Sequence, residues 1–350
     1  MLSLYVDGDR WRAHLRAVHA AHPRLVPVAK GNGYGFGVGR LARRATWLGV
    51  DTLAVGTYGE VEEAAARFDG DILVLTPWRP FVEEQYPEAV RSPRVIHTVG
   101  RLSDLEALIA RGDRPRVVLE RMTSMLRHGF AARELREAVA LWAEHGGCRL
   151  EGVSLHLPLA QGSHLSEVER LMTDVVAAGV PAKRVWVSHL SKSELASVEA
   201  AYPDFEVRPR IGTGLWLGDR GALRARATVL DAHPVVRGDE YGYRGRTAPR
   251  HGTILIVSGG TAHGIGLAAP TGPNDLRSRA ASIAKGGLDA AGFVRSPYMI
   301  DGKQRLFAEP PHMQASMLFL PAGSRVPDVG EEVDVRVRFT ATTFDRTLVS

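Results

Sequence analysis

The run Leu25-Val26-Pro27-Val28-Ala29-Lys30-Gly31-Asn32-Gly33-Tyr34-Gly35-Phe36-Gly37 carries one lysine to the end of an apolar segment and then breaks into alternating glycines. A short apolar run bounded by a glycine-rich turn reads as a buried strand. Lys30 then stands at the carboxyl end of that strand, either as the first polar residue of an exposed loop or as an amine held at a site. Which of the two applies depends on the sheet that the strand joins.

Outward from this segment the same rhythm repeats. Apolar runs at residues 4–6, 25–29, 52–55, 72–75, 94–98, 116–119, 152–157 and 184–188 alternate with helical patterns such as 10–21, 39–48, 60–68, 101–111, 133–145, 166–178 and 192–201. Strands interleaved with helices in this way predict an α/β fold, a (β/α)8 TIM-type barrel over residues 1–220. Chemistry in such a barrel sits at the carboxyl ends of the strands, where Lys30, Arg127, His156 and Ser193 fall. After about Asp219 the pattern turns to β-rich runs at 253–257, 317–320 and 333–339, with a turn at Asp301-Gly302-Lys303. A second, mostly-β domain over residues 221–350 is expected. Residues 266–282 have no period and are expected to form a long loop lying over something functional.

Composition sets the bounds. The 350 residues, 45% of them hydrophobic, suffice for one large core and a smaller one. A net charge of +5 permits an anionic cofactor, but the basic residues are spread along the chain, which argues against a nucleic-acid partner. The single cysteine, Cys148, excludes an intrachain disulfide framework, and beside Gly146 and Gly147 it falls in a turn where no reactive role is expected. There is no apolar run of about 18 residues and no signal-like start, so a cytoplasmic protein without a membrane partner is expected. No metal is expected either.

Lys30, Asn32, Tyr34, Gly35 and Gly37 resemble the K-x-N-x-Y-G-x-G signature of the alanine racemase family of fold-type III enzymes, in which the lysine carries pyridoxal phosphate on its amine. Arg210-Ile211-Gly212-Thr213-Gly214-Leu215-Trp216 reads alone as a strand end and a turn, or as glycines that let N–H groups approach an anion. It is similar to the family's R-x-G-I-A-L-Y-G. The resemblance implies that Arg210 meets the pyridine nitrogen and that Gly212 and Thr213 bind phosphate; Arg208 would need a gap in the alignment. A guanidinium does not readily give up its proton, so the cofactor is the weaker electron sink that suits proton transfer.

Further segments extend the likeness. His156 ends Glu151-Gly152-Val153-Ser154-Leu155-His156, which resembles E-G-x-x-x-H, where the imidazole buttresses the arginine; alone it reads as a core histidine. Ser193 in His189-Leu190-Ser191-Lys192-Ser193 resembles the phosphate-binding serine of H-x-x-N-S, with Ser191 as the alternative register, and either hydroxyl suits a helix N-cap. Arg127 in Met125-Leu126-Arg127-His128-Gly129-Phe130 resembles the arginine of M-G-R-L-G-F, which faces the cofactor's phenolic oxygen and the substrate. Glu120 stands where many members carry a carbamylated lysine, and the resemblance implies that it supplies the same negative charge.

The C-terminal half departs from the pattern. Gly260-Thr261-Ala262-His263-Gly264 matches G-Y-A-D-G, so Thr261 replaces the tyrosine that serves the family as second acid/base. His312-Met313-Gln314-Ala315-Ser316-Met317 resembles C-M-D-Q-T-M, with Gln314 for the aspartate near the substrate carboxylate and Met313 beside it. His263, His312 or a water held by Thr261 is then the candidate second base. Phe344 is the nearest match to a phosphate-contacting tyrosine. The resemblance implies a pyridoxal phosphate enzyme that moves the α-proton of a small amino acid or derivative, in a head-to-tail homodimer whose C-terminal domain completes the partner's site. The alternatives are another reaction on the same scaffold (decarboxylase, aldolase or lyase) and a cofactor-binding protein without turnover. Apart from the family, Lys30 also suits a cofactor-free aldolase barrel.

Overall fold

The computed structural model describes residues 1–159, 162–267 and 294–350. The chain forms two compact units, one of residues 12–33 and 37–218 and the other of residues 1–11, 34–36 and 219–350.

The first unit is a parallel barrel. Its strands are Val26–Pro27, Thr52–Val55, Asp71–Val74, Val95–Val99, Arg116–Arg121, Arg149–His156, Arg184–Ser188 and Glu206–Ile211, paired in chain order, with the last returning to the first. A bridge between Val28 and Ala54 closes the cylinder. Helices on the outside bury the other face, so these strands are apolar on both faces rather than alternating. Val26, Val28, Ala54, Leu73, Ile96, Val118 and Trp186 pack together as the apolar interior.

Charge gathers at the amino ends of the barrel strands. The carboxylate of Glu151 accepts from Arg116 at 2.6 Å and from Arg184 at 3.1 Å and pairs with Arg149 at 3.0 Å, while Arg116 also reaches Asp71 at 2.6 Å. Next to Glu151, Gly152 has φ 149°, and a Cβ there would stand 2.0 Å from the Arg184 carbonyl oxygen. The first two residues of the E-G-x-x-x-H segment therefore hold the barrel floor, and its histidine serves the mouth.

Residues 4–6 were expected as a barrel strand, and the structure corrects this. Leu2–Val6 lies in the second unit, antiparallel to Leu223–Val235 and parallel to Arg346–Val349. The barrel's remaining strand is Glu206–Ile211, whose sequence Glu-Val-Arg-Pro-Arg-Ile hides it. Arg208 pairs with Asp51 at the floor, and Arg210 donates to Ser154 Oγ at the mouth.

In the second unit, strands Gly252–Ser258, Ala315–Pro321, Lys303–Phe307, Arg295–Ile300, Glu332–Val335 and Leu223–Val235 are neighbours in that order, and the last pairs again with the first. The turn at Asp301-Gly302 has φ of 52° and 70°, the left-handed pair of a tight hairpin. The strand expected over 333–339 stops at Val335. The unit takes in residues 1–11 and 34–36 besides 219–350, where a boundary at 220/221 was expected. Apart from Gly266 and Leu267, the loop expected over 266–282 lies outside the described residues. Among the described residues no helix is long and apolar enough to cross a membrane.

Candidate active site

Lys30 follows the first barrel strand directly, and the alternating glycines after it have a conformational cause. Gly31, Gly33, Tyr34, Gly35 and Gly37 all have positive φ, between 55° and 88°. One carboxylate fixes this turn. Glu60 accepts from the N–H of Gly31 at 2.8 Å and from that of Gly56 at 2.6 Å, joining the loops that follow the first two strands. Lys30 is exposed as a residue, yet surrounding protein desolvates its amine and lowers its pKa; Arg127 and Arg210 lower it further and Glu60 opposes them.

Arg210 is buried at the end of the eighth barrel strand. Nη1 donates to Ser154 Oγ at 2.9 Å and Nη2 to the Leu155 carbonyl at 3.1 Å, and Nη2 lies 3.5 Å from His156 Nδ1. Among the described residues its buried Nε has no hydrogen-bond partner. Burial brings the guanidinium down to about 10, with Glu120 opposing and Arg127 adding to the effect, so it stays charged at neutral pH. Arg208, the alternative register, belongs to the barrel floor.

Burial, then Arg210 and Arg127, depress His156 to about 3, so its ring is neutral. The ring meets His189 edge-on at 5.6 Å. Arg127 is exposed on a loop tied to this strand by Thr123, whose Oγ1 donates to the His156 carbonyl at 2.7 Å. Glu120 corrects an expectation. It is buried, and burial raises its carboxyl to about 7 against Arg210 and Arg127, so it is not a constant negative charge at neutral pH.

Ser191 caps helix Lys192–Ala201, forming a capping box with Glu194, and Ser193 is left exposed in the first turn, 3.2 Å from Ser191 Oγ. Gly212 and Thr213 open the short helix Thr213–Trp216, held to the Lys30 strand by Trp216 Nε1 donating to the Val28 carbonyl at 2.7 Å. Tyr34 is buried and groups with the second unit, as does Phe344, which packs on Gly35. Lys30, Arg127, His156 and Arg210 are thus brought together. Glu60 and Thr123 carried no distinguishing sequence signal, because their roles depend on which loops the barrel sets side by side, while His189 entered only as the first residue of the H-x-x-N-S likeness.

The second unit holds a cleft of about 680 Å³ lined by Thr261, His312, Met313 and Gln314 together with Tyr243 and Glu309. The N–H of Thr261 donates to the His312 carbonyl at 2.8 Å, so the two departures from the family pattern share one wall. His263 is not on the cleft's lining. It is buried, with Nδ1 accepting from the Gly260 N–H at 3.3 Å and Nε2 3.0 Å from Asp345 Oδ1. Both its ring nitrogens are committed to the fold. His312 Nε2 lies 2.6 Å from Oε1 of buried Glu309.

A family model described as the N-terminal domain of alanine racemase matches residues 6–217. The chain belongs to the alanine racemase family. Among curated relatives it is 26% identical over 272 residues to the alanine racemase of Nitratidesulfovibrio vulgaris (strain DSM 19637 / Miyazaki F), covering 72% of each chain. To that of Mycobacterium bovis it is 29% identical over 275 residues, 71% of this chain and 69% of the relative. Among solved structures, the alanine racemase of D-cycloserine-producing Streptomyces lavendulae aligns at a TM-score of 0.70 with 20% identity, covering 100% of this chain and 97% of that one. The Bartonella henselae alanine racemase with covalently bound pyridoxal phosphate aligns at 0.71 with 16% identity, covering 99% of each. Both structures share the fold of this chain, a parallel barrel followed by a mostly-β domain.

Proposed function

We propose that this chain is a pyridoxal phosphate enzyme that moves the α-proton of a small amino acid or amino-acid derivative. One observation carries the reading: an accessible amine of lowered pKa stands beside the cations Arg127 and Arg210, and among the described residues Arg210 keeps a buried Nε–H without a partner. That set fits an anionic cofactor with a ring nitrogen to be met. Lys30 would hold the cofactor covalently and Arg210 would meet its pyridine nitrogen. The phosphate would rest on Gly212, Thr213 and Ser193, after the eighth and seventh strands, where TIM barrels commonly bind phosphate. Tyr34 and Arg127 complete the cofactor set in the family pattern.

Pyridoxal phosphate, when bound, supplies an electron sink for charge developing at the substrate α-carbon. Neutral His156 accepts from Arg210 and leaves the guanidinium as a fixed cation, which keeps that sink weak. The Lys30 amine, deprotonated more easily than an ordinary lysine, acts as the base on one face. The C-terminal cleft of a second copy would offer the other face, with Thr261 and His312 as acid/base candidates and Met313 and Gln314 near the substrate's polar end. His263 is set aside because its ring is engaged. A cytoplasmic homodimer is part of this reading, and the lone buried Cys148 is consistent with the location.

The test is α-proton exchange in D2O, followed by NMR on cofactor-loaded protein with L- and D-alanine, serine and lysine, beside borohydride trapping of a pyridoxyl group on Lys30. Exchange with inversion supports a two-base racemase. A trapped group that persists in Lys30→Ala overturns the assignment of Lys30. Thr261 and Gln314, in place of tyrosine and aspartate, favour as a second reading a one-base reaction on the same scaffold, such as decarboxylation or aldol cleavage, or binding without turnover. Exchange with retention, or none, would select it.

A further inference from the structure

We infer that Glu309 is a positioning residue that turns His312 into a directed proton carrier on the C-terminal cleft. The inference rests on the reading of the chain as an α-proton-transfer enzyme and names the machinery of its second face. Three observations support it.

First, the Glu309 carboxylate is buried, with its side chain 2% exposed, and lies 2.6 Å from His312 Nε2. A buried carboxylate on an imidazole fixes its tautomer and stabilises the imidazolium that forms when the far nitrogen takes a proton. Second, the carboxylate is itself held. Its Oε2 accepts from the Tyr243 N–H at 3.0 Å, and Tyr241 Oη and Arg246 Nη1 each donate to the preceding Ala308 carbonyl at 3.3 Å. The small hairpin of Glu240–Tyr241 and Arg246–Thr247 therefore clamps the segment that carries Glu309. Third, the Tyr243 ring packs beside the imidazole, 4.6 Å away centroid to centroid and tilted by 46°.

With Nε2–H donated to Glu309, the free lone pair of His312 is on Nδ1. Among the described residues no hydrogen bond engages that nitrogen, and the residue lines the same cleft as Thr261. For one substrate enantiomer the α-proton passes to Nδ1, the N–H bond forming as the C–H bond breaks with its electron pair left on carbon. For the other enantiomer the imidazolium returns a proton to carbon. No proton is consumed over the cycle, and Glu309 keeps its hydrogen bond throughout. Thr261, whose hydroxyl is a weak acid, is then a neighbour of the carrier and not the carrier itself.

The test uses the full chain loaded with cofactor. Selective 15N labelling of histidine, with the His312 resonance identified by its loss in His312→Ala, reports which ring nitrogen bears the proton. Nε2–H is expected in the wild type and in Glu309→Asp, with the tautomers mixed in Glu309→Gln. Inversion at the α-carbon should fall about 10- to 100-fold in Glu309→Gln and about 100-fold or more in His312→Ala, with free imidazole restoring part of the latter. The trapped group on Lys30 should keep its wild-type yield in each variant. An unchanged tautomer together with unchanged inversion in Glu309→Gln overturns the inference while leaving the enzyme reading intact. Absence of the Lys30 adduct from the wild type overturns that reading, and the inference with it.

Discussion

Arg210 Nη2 lies 3.5 Å from His156 Nδ1, with Ser154 Oγ and the Leu155 carbonyl holding the same guanidinium. A cation set against a histidine would be repulsive if both were charged. Burial and Arg210 resolve this by holding the imidazole near 3, so the pair is a cation and a neutral acceptor at any physiological pH. The terminal nitrogens make these three contacts, and among the described residues the buried Nε–H meets no hydrogen-bond partner.

The carboxyl of Glu120 gives a signed pH effect. Its pKa is raised from an ordinary 4.5 to about 7 in the folded chain. Between those values the native state holds a proton that the unfolded state has released, so this contribution is present at low pH and is lost as pH rises to 7. Glu120→Gln should therefore gain on the wild type from pH 4.5 to 7.5, by about 3 kcal/mol. Urea unfolding at a series of pH values measures it, and a constant difference would contradict the burial of an ionisable carboxyl there.

Glu60 joins two mouth loops and also supports the charge of Lys30. Glu60→Gln should cost about 1–3 kcal/mol of stability, since an amide cannot accept from every N–H that the carboxylate now serves. It should also lower the Lys30 pKa further, so labelling of that amine by pyridoxal phosphate should begin at lower pH. Unchanged labelling would separate Glu60 from the electrostatics of Lys30.

Thr261→Tyr puts a phenol on the wall of a cleft of about 680 Å³, which has room for it. The variant should racemise alanine faster than the wild type, by about 10-fold or more if the phenol acts as an acid/base group. A chiral assay of alanine in each direction decides it. No gain would mean that this wall does not face the substrate α-carbon.

Gly35 combines φ +88° with a close neighbour, for a Cβ there would meet Phe344 Cε2 at 2.8 Å. Gly35→Ala should cost at least 1–2 kcal/mol, roughly the left-handed backbone cost alone. Phe344→Ala should return part of the excess in the double variant. Additive losses in thermal unfolding would show that the ring and the turn are independent.

Where local sequence sets the structure, it was legible. The barrel class, the Lys30 turn and the cluster of Lys30, Arg127, His156 and Arg210 follow from apolar runs ending in polar residues, together with motif resemblance. Of Glu206–Ile211 only the end at Arg210-Ile211 was legible, because the charges of Glu206 and Arg208 hide the rest until Asp51 is seen beside Arg208. Leu2–Val6 misled for the opposite reason: an apolar run before a helix looks like the start of a barrel, and nothing local reveals a partner at Ala227. Glu309 was passed over because its meaning depends on Tyr243, distant in sequence and brought to it by a hairpin.

The pairing of Leu2 with Ala227 has a consequence for biogenesis. On the ribosome Leu2–Val6 emerges before the barrel and must wait for the whole barrel sequence to be made before its antiparallel neighbour exists. Its other neighbour, Arg346–Val349, comes later still. A nascent chain stalled near Gly218 would therefore present a naked apolar edge, the kind that recruits other chains. Arg346–Val349 thus covers a strand made long before it.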